Sequence, residues 1–142
     1  MYQGGANLNL DVKGRMTVPA RHRDALQSQC EGRLTLTKHP HGGLLMYPRP
    51  VWEAKRQEIA AWPMQAMAWK RIFLGSAMDL ELDSTGRLLI PPELRDAAQL
   101  DRDIMLLGMV THLEIWDTTM LRQKEAETVA AGMPESLAGF SF

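Results

Sequence analysis

One sixteen-residue stretch of this chain is written twice. “DVKGRMTVPARHRDAL”, from Asp11 to Leu26, returns as “DSTGRLLIPPELRDAA”, from Asp83 to Ala98. Seven of the sixteen positions are identical at a single offset of 72: Asp11, Gly14, Arg15, Pro19, Arg23, Asp24 and Ala25 recur as Asp83, Gly86, Arg87, Pro91, Arg95, Asp96 and Ala97. Ordinary residue usage gives about one identity in such a stretch. Met16 with Leu88, and Val18 with Ile90, keep the apolar character of two more positions. The repeat constrains the fold directly. A unit of about 45 residues struggles to bury a core alone, whereas two stacked copies share one.

The two halves parse alike. “ANLNLD” and “MDLELD” alternate apolar and polar residues, the period of a half-buried strand. Each runs into Asp-x-x-Gly-Arg, where glycine permits positive φ and aspartate accepts turn N–H groups. Second strands follow at Arg15–Val18 and Arg87–Ile90, so each pair reads as a β-hairpin. Pro19 and Pro91 suit helix starts, and predict short helices to about Gln29 and Gln99. “RLTLTK” and “LLMY”, then “IMLLGM” and “LEIW”, supply the remaining strands. Helices close the units, from Pro50 to about Trp62 and from Thr118 to Ala131, with a further helical pattern after Pro63. Trp52, Ile59, Trp62, Ala66, Trp69 and Phe73 share roughly one helical face and read as core. The fold class is α+β, mainly β, a double-repeat barrel with a pseudo-twofold. The segments are repeat 1 over 5–51, a helical connector over 52–76, repeat 2 over 77–120, and a C-terminal helix and tail over 121–142.

Charge divides the halves. Residues 1–71 hold eleven Lys and Arg against five Asp and Glu; residues 72–142 hold five against twelve. A basic half suggests a polyanion partner, or the acidic half of a neighbouring copy. Cys30 stands alone, which suits a reducing cytosol and an inert buried thiol. No run of about 18 apolar residues reads as a membrane span, and no signal segment opens the chain. The expected location is the cytoplasm, associated with the nucleoid.

Three chemistries compete for the conserved-looking turns and their surroundings. In Asp-x-x-Gly-Arg, Asp11, Gly14, Asp83 and Gly86 read first as turn architecture, with Arg15 and Arg87 paired across their turns. The first copy adds Lys13, Arg21, His22 and Arg23. A β-ribbon fits the DNA major groove, Arg reads guanine through paired hydrogen bonds, and Lys13, Arg21 and Arg23 suit phosphates. A short basic run is equally a solvated face, and the residues alone leave both readings standing. Arg87, beside Glu93, Asp96, Asp101 and Asp103, reads as structural or as a subunit contact. His39 and His41 in “KHPHGG” read as a turn rather than a metal site, and no phosphate loop, nucleophile elbow or zincin motif is present.

“DVKGRMTVPARHR”, “DSTGRLLIPPELR”, “HGGLLMYP” and “LEIWD” together resemble the bacterial MraZ family, across nearly the whole chain. The resemblance implies a SpoVT/AbrB-like barrel of interleaved, swapped hairpins, built here from one chain. It implies a sequence-specific, double-stranded-DNA-binding transcriptional regulator of the division and cell-wall gene cluster. The implied targets are G-rich direct repeats in its own promoter, bound by a ring-like homo-oligomer. It implies no enzyme activity, cofactor, metal, membrane or small-molecule substrate. Arg15 stands first for base contact, with Lys13, Arg21 and Arg23 on phosphates. The rival is an antitoxin-like or scaffold module whose hairpins face protein.

Overall fold

The computed structural model describes all 142 residues. Strand β1 (Tyr2–Asn9) leads through the first turn to β2 (Arg15–Thr17), helix α1 (Ala20–Cys30), β3 (Arg33–Lys38) and β4 (Leu44–Pro48). Helix α2 (Arg49–Ala60), a 3-10 turn (Met64–Ala66) and α3 (Met67–Gly75) connect the repeats. The second repeat runs β5 (Met78–Glu81), β6 (Arg87–Leu89), α4 (Pro92–Ala97), β7 (Asp103–Val110), β8 (Leu113–Asp117) and α5 (Thr118–Ala131).

The expected hairpins do not pair with themselves. The turn closes, with Asp11 N–H donating to the Arg15 carbonyl at 3.0 Å, but the strands then part. β1 pairs antiparallel with β7 of the other repeat, and β5 with β3. β2 pairs only with β6, in a separate two-stranded ribbon. The remaining strands complete a six-stranded sheet in the order β1-β7-β8-β4-β3-β5. Swapping lets each repeat cover the other's apolar strand faces, which is how two small units make one core.

The ribbon marks the pseudo-twofold. Its central pair is Met16 with Leu88, two positions equivalent in the repeat. Both side chains are fully buried among Val18, Leu26, Leu34, Leu36, Leu44, Met46, Ile90, Leu94, Ile104, Leu106, Leu113 and Ile115. Burying one such side chain contributes about 1.5–3 kcal/mol, so this cluster dominates folding. The sheet has a second face. Leu45, Tyr47, Thr35 and Thr37 alternate with the core residues and turn toward α2 and α3.

Helix ends explain small departures from the sequence reading. α1 continues past Gln29 to Cys30 because Glu31, at φ 56°, and Gly32, at φ 73°, cap it in the left-handed region. Cys30 is buried, and its Sγ lies 3.1 Å from the Leu26 carbonyl. α5 starts at its Asp117 cap, which accepts from Met120 N–H at 3.0 Å.

The aromatic stripe is core only in part. Trp52 and Ile59 are buried with Tyr47, and Trp62 and Phe73 pack half-buried against them. Trp69 remains 48% exposed, and α3, despite its apolar sequence, buries no residue fully. The stripe's period continues past the edge of the sheet, and its far end has nothing beneath it.

Candidate nucleic-acid interface

Each Asp-x-x-Gly-Arg turn is organised by its aspartate. Asp11 Oδ1 accepts the Lys13 and Arg15 amides, both at 2.9 Å, and Oδ2 accepts Arg15 Nε at 2.6 Å. Asp83 repeats the arrangement. Oδ1 accepts the Thr85 and Arg87 amides at 2.9 Å and the Thr85 hydroxyl at 2.8 Å, while Oδ2 accepts Arg87 Nε at 2.9 Å. Hydrogen bonds to an ionised carboxylate favour the ionised form. The Arg15 amide, with its side chain and the Lys13 amide, holds Asp11 down at about 2. The Arg87 amide, then the Thr85 hydroxyl, pull Asp83 lower still.

This geometry uses only one edge of each guanidinium. Nε is committed to aspartate, and the two Nη groups make no hydrogen bond within the chain. The side chains are 30% and 37% exposed. The aspartate therefore orients the arginine without consuming its forked donors. As ion pairs at the surface, these contacts add little stability. Period-two alternation sets the direction. Met16 and Leu88 point into the core, so Arg15, Thr17, Arg87 and Leu89 lie on the ribbon's outer face.

The two turns sit at opposite ends of the ribbon. Val18 N–H donates to the Gly86 carbonyl and Ile90 N–H to the Gly14 carbonyl, each at 3.0 Å. Four strand steps separate the turns, about 13 Å at about 3.3 Å per residue.

Sequence neighbours are not spatial neighbours here. Arg23 does not join the first turn: its side chain lies across Gly86, and Nη1 donates to the Thr85 carbonyl at 3.3 Å. Arg95 makes the reciprocal crossing over Gly14, with Nε donating to the Ile90 carbonyl at 2.9 Å. A Cβ at Gly14 would fall 2.5 Å from Arg95 Cζ, and one at Gly86 2.2 Å from Arg23 Cδ. Both glycines also have positive φ, 87° and 79°. Each turn thus borrows an arginine from the other repeat. The argument that Arg87 lacks basic company fails for this reason, since Arg23 supplies it.

Other members of the basic stretch disperse. Arg21 is about 200° from Arg23 around α1 and lies against Gly4 of β1. His22 is buried beside Tyr2, and its Nε2 has no hydrogen-bond partner. Burial, then the Arg21 charge, hold His22 below its ordinary value, so it adds no charge to the face. Lys13 projects from the first turn; its counterpart is Thr85. Arg102, which the sequence reading did not single out, borders the first turn across an open cleft of about 710 Å³, together with Asp11 and Arg95. The matching of Arg23 with Arg95 in the repeat was the available signal for the crossing.

The twin turns, the crossed strands and the repeat offset belong to one pattern, and it extends over the chain. The family described as “MraZ protein, putative antitoxin-like” matches residues 1–72 and again 73–136. The chain belongs to the MraZ family. It is 66% identical to the transcriptional regulator MraZ of Janthinobacterium sp. (strain Marseille), over 142 residues and the whole of both chains. The proteins of the same name from Herminiimonas arsenicoxydans and Cupriavidus pinatubonensis are 63% and 61% identical, again end to end. MraZ is a family of transcriptional regulators, not of enzymes. No helix of the chain is long and apolar enough to cross a membrane.

Proposed function

We propose that this chain regulates transcription by binding double-stranded DNA through the outer face of the β2–β6 ribbon. The observation that carries the reading is the state of Arg15 and Arg87: each is aimed outward by its aspartate with both Nη groups unused. That is the donor pattern guanine O6 and N7 accept. A two-stranded ribbon fits a major groove, about 12 Å wide, and the two turns span a similar distance. Arg15 stands first, because Lys13 and the Arg102 cleft add charge beside it; Arg87 contributes from the second turn. Lys13, Arg23 and Arg95 hold flanking phosphates, and Arg21 reaches the outermost one.

The targets are G-rich direct repeats in the promoter of its own division and cell-wall cluster, bound in the cytoplasm at the nucleoid. A homo-oligomer, ring-like, presents several faces at once, so weak single contacts gain effective concentration. The unburied apolar surface of α3, with Met64 76% and Trp69 48% exposed, supports contact with a second copy. The opposite charges of the two halves favour such a contact.

Fluorescence anisotropy over a salt series tests the reading, with native-box and scrambled duplexes. Wild type prefers the native boxes, with affinity falling steeply in salt. Arg15→Ala loses the preference while keeping its fold and oligomeric state. Equal weak binding to both duplexes, or no effect of Arg15→Ala, overturns it in favour of a hairpin face that binds protein.

A further inference from the structure

The central pair of the β4–β8 ladder is Leu45 opposite Glu114. Glu114 is only 9% exposed, on the sheet face turned away from the ribbon. Its Oε2 lies 2.7 Å from His39 Nε2, and its Oε1 accepts Trp116 Nε1–H at 3.0 Å. His39 Nδ1 accepts the His41 amide at 3.0 Å. The two contacts fix the tautomer: the ring proton sits on Nε2 and goes to Glu114, leaving His39 neutral. Burial raises the Glu114 carboxyl, but these hydrogen bonds outweigh it and hold the group below its ordinary value. A buried negative charge therefore has two donors and no cation. His112, which faces it, is held neutral by burial.

The carboxylate opens into a cavity of about 400 Å³ under α2 and α3. Tyr47, Trp52, Trp62 and Phe73 line it, and Lys55 and Glu58 stand at its rim, 3.8 Å from each other. The lip is the β7–β8 turn, where Val110 takes φ 67°, a strained conformation for a β-branched residue. Buried charges are paired or hold a counter-ion. Aromatic faces attract cations, most strongly where water is excluded. The volume is that of a small-molecule site.

We propose that this cavity binds a small organic ammonium ion, with Glu114 facing the charge and Tyr47, Trp52, Trp62 and Phe73 enclosing the body. The site lies across the sheet from the ribbon and uses none of the DNA-facing side chains. Its ligand, an alkylated or aryl-bearing amine, is a candidate effector class for the regulator.

Saturation-transfer difference NMR on the intact oligomer tests this with choline against its neutral isostere, 3,3-dimethyl-1-butanol. Choline methyl signals saturate, and choline binds about tenfold tighter than the alcohol, the size of a desolvated cation–π contact. Glu114→Gln abolishes the difference, Trp62→Leu weakens choline binding, and Glu58→Gln at the rim leaves it unchanged. Thermal melting and box-DNA binding confirm that each variant is folded. Equal binding of the two probes, no saturation of choline, or loss on Glu58→Gln alone overturns the proposal. Should Glu114→Gln not fold, Trp62→Leu decides: unaltered choline binding then removes the site.

Discussion

At the first turn, Lys13 projects into solvent and Arg95 lies across Gly14; at the second, Thr85 gives its hydroxyl to Asp83 and Arg23 lies across Gly86. The aspartate brackets, the glycine conformations and the Nε-anchored arginines are the same in both. What differs is the dressing: one more cation and a cleft at the first turn, one more hydrogen bond at the second. The ribbon adds another difference, for Arg15 is paired with Leu89 and Arg87 with Thr17. The comparison teaches that a repeat can keep its scaffold fixed while its outward chemistry drifts. The shared parts are those that hold the turn; the variable parts are those that face outward.

The heaviest blow to this symmetry is to remove the outward arginines one at a time. Arg15→Ala is expected to cost about 1–3 kcal/mol of discrimination between native and scrambled boxes, roughly 5- to 150-fold. Arg87→Ala costs less, and the anisotropy titrations give the ratio directly. Equal losses would make the ribbon a symmetric reader. Next, the glycines: Gly14→Ala and Gly86→Ala each force a Cβ into positive φ and into an arginine. Each destabilises by about 1–2 kcal/mol from the backbone conformation alone, read by chemical denaturation. Similar losses at both sites establish that the scaffolds are equivalent.

Exchanging the dressing is gentler. Lys13→Thr lowers the slope of log affinity against log salt by about 1, and Thr85→Lys raises it by about 1. Leu89→Thr makes the two sides of the ribbon alike, and costs less than any arginine change. The last comparison is a titration. Carbon-13 spectra should place the Asp11 carboxyl midpoint at about 2, against an ordinary 3.8, with Asp83 lower. A carboxyl depressed by folding stabilises above its unfolded value, so both turns lend stability above about pH 4 and lose it as pH falls, the first turn before the second. The buried histidines act earlier. His22 and His112 are held below 6.5, so acidification below 6.5 favours the unfolded chain. Melting temperatures from pH 8 to pH 3 should fall in two stages.

Most of the element order was legible in the sequence, because strands of period two, prolines and Asp-x-x-Gly-Arg are local signals. Helix α5 is read over Thr118–Ala131 in both sequence and structure. Pairing was not legible from those signals: nothing local says whether β1 returns to β2 or crosses to β7. The crossing of Arg23 and Arg95 follows from that swap, and so the sequence placed Arg23 beside the wrong turn. Burial of His22 was hidden by its cationic neighbours, though it faces inward with Leu26 one turn later on α1. The Glu114–His39 contact spans 75 residues. Its one trace in the sequence is the acidic residue interrupting the apolar run “LEIW”.

The exchange of strands between repeats also has a thermodynamic side. β1 meets β7, and β5 meets β3, within one covalent chain. Assembly of the barrel is therefore a first-order event, governed by loop closure rather than by encounter between molecules. Dilution cannot pull these strands apart, as it can in a barrel built from two separate chains. The fold persists at the scarcity of a few molecules per cell, and only the joining of whole barrels to one another answers to concentration.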